Sequence, residues 1–108
     1  MDPALIYQLV QQIPRGKVTS YGHIALMANY PNNARQVGQI LKHLPTNPEA
    51  KFHEGNVPWQ RVISAQGLVP KRPGYERHIA TLQLEVEVSD QGYVDMAKYG
   101  WYPIDIDL

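Results

Sequence analysis

The chain has no cysteine. Disulfides, a thiolate nucleophile and thiolate metal ligation are therefore excluded outright. It also lacks an apolar run long enough to span a membrane and a secretory h-region, which predicts a soluble, cytosolic protein with no membrane partner. Its four histidines (His23, His43, His53 and His78) lack zinc-ligand spacing, so neither a metal nor another cofactor is expected. His23 and His43 read as surface residues. Repeats and low-complexity tracts are missing too. At 108 residues the chain has room for one domain with a modest core, expected to act as a monomer.

Net charge is zero, but its distribution is uneven. Residues 1–72 hold eight Lys/Arg against three Asp/Glu, and residues 73–108 hold two against seven. Such a split suggests a first part that faces a polyanion and an acidic region after it. A merely dipolar domain is the plainer alternative.

Local patterns predict a mostly helical α+β fold. Asp2 can cap a first helix with Pro3 at its first position, and Leu5, Ile6, Leu9, Val10 and Ile13 then recur at helical spacing. Pro14-Arg15-Gly16-Lys17 ends it in a turn. An extended Val18-Thr19-Ser20 leads into a second helix, capped by Ser20 or Thr19, with Ile24, Ala25, Met27 and Ala28 on its apolar side. After a turn at residues 29–32, Asn33 can cap a third helix over residues 34–44. Two short helices joined by a short turn form the helix-turn-helix pattern, with the third helix in the reading position. Ala34, Val37, Gly38 and Leu41 give that helix a stripe of small or apolar residues beside Arg35 and Gln39. The stripe serves either helix packing or close approach to a narrow minor groove.

Residues 45–56 read as a mobile loop. Residues 62–69 read as two short strands around a glycine-containing turn, which after a helix-turn-helix would be a wing. Pro70-Lys71-Arg72-Pro73-Gly74 is a basic, stiff loop. Residues 75–84 are predicted helical with Ile79 and Leu82 inward, and Val86-Glu87-Val88 as a short strand. The tail, residues 93–108, alternates aromatics with acids; it either packs back on the domain or offers a partner surface.

The stretch that organises the chain is Val57-Pro58-Trp59-Gln60-Arg61-Val62-Ile63. Pro58 fixes φ just before Trp59, so the indole sits on a stiff turn. That suits a pocket wall; the alternative is an ordinary core aromatic.

Three motifs then coincide: Ile13-Pro14-Arg15-Gly16-Lys17-Val18-Thr19-Ser20-Tyr21-Gly22, Ala34-Arg35-Gln36-Val37-Gly38, and Pro58-Trp59-Gln60-Arg61-Val62-Ile63. Together they resemble the DNA-binding domain of O6-alkylguanine-DNA alkyltransferases over roughly residues 5–88. The resemblance implies a winged helix-turn-helix. The transferases carry their alkyl-accepting cysteine where this chain has Trp59, and that replacement marks the alkyltransferase-like proteins. These bind alkylated guanine without repairing it and hand the lesion to nucleotide excision repair proteins. Gln60 replaces the usual histidine.

The implied partner is double-stranded DNA containing O6-alkylguanine. The implied contacts are Tyr21, Ala34, Arg35, Gly38, Pro58, Trp59, Gln60, Arg61 and Arg72. Tyr21 would press on the phosphate of the target nucleotide, Arg35 would fill the vacated stack, Trp59 would wall the pocket and Arg72 would lie over the base. Glu85 falls near the family's terminal-helix glutamate, without the glycine that follows it there. Two other readings stay open: a sequence-reading winged-helix regulator, and an enzyme acting on a flipped base with Glu85 as its carboxylate.

Overall fold

The computed structural model describes residues 1–105. Helix α1 spans Pro3–Gln11, and Asp2 caps it by accepting from Ala4 N at 3.0 Å. Ile6, Leu9, Val10 and Ile13 are buried, as their spacing predicts. Strand β1 is Thr19–Ser20, and α2 follows at Tyr21–Met27 with Ser20 Oγ accepting from His23 N at 3.0 Å. Helix α3 is Ala34–Lys42, two residues shorter than expected. Asn33 stands at its N-cap, but its side chain donates to Gln36 Oε1 instead of accepting from the helix. The three helices enclose a core of Ile6, Val10, Ile24, Ala25, Val37 and Leu41.

Strand β2, Val62–Ile63, pairs parallel with β1, Thr19 facing Val62 and Ser20 facing Ile63. Successive strand side chains point to opposite faces. Val62 therefore enters the helical core, and Ile63 a second core with Val18, Val69, Leu82, Val86 and Val94. Two small cores thus meet at β2, which begins three residues after Trp59.

The expected wing is only half present. Residues 64–68 do close a tight turn, with Ser64 N donating to Leu68 O and Gly67 N to Ser64 O, both at 3.0 Å. Its returning limb, however, pairs with the tail instead of β2. Val69 N donates to Gly92 O at 2.9 Å and Val94 N to Gly67 O at 2.7 Å. Gly67 has φ +83°, and a Cβ there would collide with Val94 O, so the tail can approach this closely only because the residue is glycine. Local alternation shows that a segment is extended and says nothing of its partner.

Helix α4 spans Tyr75–Leu82, again two residues short of the expectation; His78 and Leu82 are its buried residues, with Ile79 partly buried. No strand forms at residues 86–88; Val86 is buried as a core anchor without a ladder. Residues 45–56 hold no helix or strand, but are tied internally, as by Glu54 N to Pro45 O at 3.0 Å. The tail carries a short helix α5, Met96–Tyr99, and then runs beside β1: Val18 N donates to Tyr99 O and Trp101 N to Val18 O. His23 is no plain surface residue, since its Nε2 lies 2.6 Å from Pro103 O and its ring meets Tyr102 edge-on. Residues 106–108, the end of the predicted tail, lie outside the described residues. Among the described residues no helix is long and apolar enough to cross a membrane.

Candidate nucleic-acid interface

Helix α3 and the loop of residues 64–72 form the walls of an open groove of about 720 Å³. The predicted stripe on α3 divides between two duties. Val37 and Leu41 pack into the core, while Ala34, Arg35, Gly38 and Gln39 line the groove. A Cβ at Gly38 would lie 3.8 Å from the Tyr21 ring and from Arg72 Nη1, an ordinary contact distance. The groove lining includes Arg35, Lys71 and Arg72 and no carboxylate. The basic excess of the first 72 residues is thus partly focused on one surface.

A smaller cavity of about 150 Å³ opens beside it, lined by Trp59, Tyr75, Arg77 and His78 among others. Groove and cavity share Tyr21, Pro70 and Arg72. Tyr21 is the first residue of α2, aimed by the Ser20 cap, and Arg72 comes from the stiff loop between two prolines. Burial pushes the Tyr21 hydroxyl pKa up, against the opposing pull of Arg72, so the phenol is neutral.

Trp59 opens a 3-10 turn, Trp59–Arg61, that Pro58 precedes. Its ring is held from two sides. The His78 ring meets it edge-on, with centroids 5.1 Å apart, and the Arg77 guanidinium lies over it at 5.0 Å. Arg77 in turn makes a two-pronged ion pair with Glu54, at 2.9 and 3.0 Å. The Arg77 side chain is 60 % exposed, so solvent screens that pair to ~0.2–1 kcal/mol. His78 Nε2 lies 3.0 Å from Gln60 O, and a carbonyl can only accept, so Nε2 carries the proton. Burial lowers the His78 pKa to about 4, which leaves the ring neutral at pH 7.

Gln60 and Arg61, two of the residues expected at the lesion, turn away from the cavity. Gln60 Nε2 donates to Glu85 Oε2 at 2.8 Å, and Arg61 Nε to Glu85 Oε1 at 2.8 Å. Arg61 Nη1 also donates to Ile13 O at 2.8 Å, and Gly16 N to Glu85 Oε1 at 3.2 Å. Burial would raise the Glu85 pKa, but the bonds from Gln60, Gly16 and Arg61 outweigh it and hold the carboxyl below its usual range. This network joins the turn after α1, the 3-10 turn and the turn after α4, and so fixes the base of Trp59.

Of the predicted residues, the fold brings Tyr21, Ala34, Arg35, Gly38 and Arg72 to the groove, and Tyr21, Trp59 and Arg72 to the cavity. Glu85 stands outside both linings with its oxygens engaged, which removes it as a free base. The carboxylate that does line the cavity is Glu54, and both its oxygens are on Arg77. Glu54, Arg77 and His78 escape the sequence reading. Only His78 leaves a trace there, four residues before the inward-facing Leu82 and so on the same helix face.

Comparison with known proteins identifies the family and the fold. Residues 4–87 match the family described as the 6-O-methylguanine DNA methyltransferase DNA-binding domain. A protein of Vibrio parahaemolyticus named DNA base-flipping protein is 41 % identical over 100 residues, covering 91 % of this chain and 93 % of its own length. Alkyltransferase-like protein 1 of Schizosaccharomyces pombe is 39 % identical over 106 residues, covering 91 % and 92 %. The crystal structure of that yeast protein with damaged DNA containing O6-carboxymethylguanine superposes with a TM-score of 0.75 at 37 % identity, covering 94 % of each chain. Mycobacterium tuberculosis OGT in complex with DNA gives 0.61 at 35 % identity, over 76 % of this chain and 47 % of that one. The fold is therefore the small, mostly helical α+β fold of these DNA-binding domains, and the chain belongs to the 6-O-methylguanine DNA methyltransferase DNA-binding domain family as an alkyltransferase-like member.

Proposed function

We propose that this protein binds O6-alkylguanine in duplex DNA by rotating the damaged base into the cavity beside Trp59. It leaves the alkyl group in place and marks the lesion for nucleotide excision repair proteins. The observation that carries this reading is the junction of groove and cavity at Tyr21 and Arg72. A duplex seated in the groove has a route by which one base can leave the stack. The names of the relatives, and the damaged DNA bound to the yeast protein, support the same reading.

The energetics are balanced. Extruding a base costs a few kcal/mol. An aromatic platform at Trp59 returns ~1–3 kcal/mol, and a desolvated Arg72 over the purine ~1–2 kcal/mol. Arg35, exposed on α3, is placed to enter the gap. Net affinity then rests on Lys/Arg contacts to phosphate, which carry no sequence information. Selection for damage comes from the weaker pairing of an alkylated guanine and from the fit of its alkyl group. Transfer has no acceptor, because the resemblance puts Trp59 at the acceptor position and the chain holds no cysteine. An intact lesion needs another activity to remove it, which supports the hand-over. Ala34 and Gly38 offer the groove no side-chain donors or acceptors, which argues against a regulator that reads base edges.

The test is a titration of matched duplexes carrying guanine or O6-methylguanine at one position, with salt varied. Tighter binding to the lesion at every salt concentration is expected, with similar salt slopes. Equal affinities at physiological salt would overturn the reading.

A further inference from the structure

The groups around the cavity differ in how firmly they are held. Trp59 is braced by the Pro58 turn and the Glu85 network, and His78 by burial and its bond to Gln60 O. The Glu54–Arg77 pair is different. It joins an irregular segment, residues 45–56, to helix α4 across an exposed edge, through side chains 29 % and 60 % exposed. Both residues line the cavity, and Arg77 covers the Trp59 ring at 5.0 Å.

We infer that the Glu54–Arg77 pair is the adjustable wall of the lesion cavity and sets how large an O6 substituent this protein accepts. The inference rests on the function proposed above. Volume is the argument. The cavity holds about 150 Å³, roughly the room that takes one benzene ring. A purine is two fused rings, so a substituent beyond its O6 must displace some part of the wall. In the transfer chemistry the acceptor position lies against the alkyl carbon, so Trp59 and the side chain covering it are what the substituent meets first. The braced groups resist displacement, whereas the screened pair opens at little cost. A flat aromatic substituent can then take the place of the guanidinium on the Trp59 ring, exchanging one ring contact for another. A methyl group has no ring with which to replace it.

The experiment compares duplexes with guanine, O6-methylguanine or O6-benzylguanine at one position, using the unmodified chain and two variants. Arg77→Ala removes the cover and should raise the benzyl-to-methyl affinity ratio by about tenfold, the scale that a change in apolar fit commands. Glu54→Gln keeps the shape, frees Arg77 to swing, and should shift the ratio in the same direction by a smaller factor. Thermal unfolding should be nearly unchanged in both, since solvent screens the pair. A ratio unmoved in both variants, with O6-methylguanine still preferred over guanine, overturns the adjustable wall alone. Loss of that preference in the unmodified protein overturns the underlying reading together with it.

Discussion

Gln60 Nε2 donates to Glu85 Oε2 at 2.8 Å, so the amide that follows Trp59 faces a buried carboxylate and not the cavity. Trp59→Cys alone should therefore transfer little methyl from O6-methylguanine DNA. A free thiol near pKa 8.5 is only a few per cent ionised at neutral pH, and an amide cannot take its proton. A histidine at position 60 would meet the same carboxylate, which would orient it as a base. Trp59→Cys with Gln60→His should show a clear gain in labelled methyl transferred to protein. Rapid transfer by the single variant would show that the site activates a thiol unaided.

Glu85→Ala should destabilise the fold by on the order of 3 kcal/mol, because it strands Arg61 in a mostly buried site. The Glu85 side chain is 3 % exposed and that of Arg61 15 %. Urea unfolding measures the loss; a change below about 1 kcal/mol would mean that solvent replaces the carboxylate without strain.

His78 makes stability depend on pH. Its pKa falls from 6.5 to about 4 on folding, chiefly through burial. Between those values the unfolded chain binds a proton that the folded chain does not, so stability is full above pH 6.5 and declines as pH falls toward 4. The decline should approach about 3 kcal/mol. Glu85 adds a further loss at lower pH, since its folded pKa lies below its unfolded one and its stabilising bonds fail on protonation. Urea midpoints at pH 7 and 4.5 test this; His78→Gln should flatten the difference, and an equal slope in that variant would assign it elsewhere.

Arg35→Ala should weaken lesion binding by on the order of 1–3 kcal/mol, since the vacated stack would stay empty. The side chain is exposed on α3, so the fold should survive. Unchanged affinity for O6-methylguanine duplex would remove Arg35 from the mechanism.

Arg72→Ala should reduce discrimination between damaged and undamaged duplex more than it reduces binding to the undamaged one. Arg72 lines the cavity as well as the groove, and a cation over the base acts only once the base has arrived. Equal losses on both duplexes would make it a phosphate contact only.

Much of this protein was legible in its residues. Asp2-Pro3 and the Leu9-Val10-Ile13 spacing specify α1 because caps and helical periodicity act within a few positions. The missing cysteine excludes transfer to a thiol whatever the fold, and the three motifs name the family. Side-chain direction was not legible. Gln60 and Arg61 sit beside Trp59 in sequence yet point into a network whose partners Gly16 and Glu85 lie 69 positions apart. Arg77 and Glu54, 23 apart, meet only because the fold brings α4 to the end of the irregular segment, where Arg77 also covers Trp59. The second strand of the wing finds its partner in the tail for the same reason. Local propensity decides which elements form, whereas the pairing of distant surfaces depends on how two small cores close around β2, and only the tertiary structure holds that information.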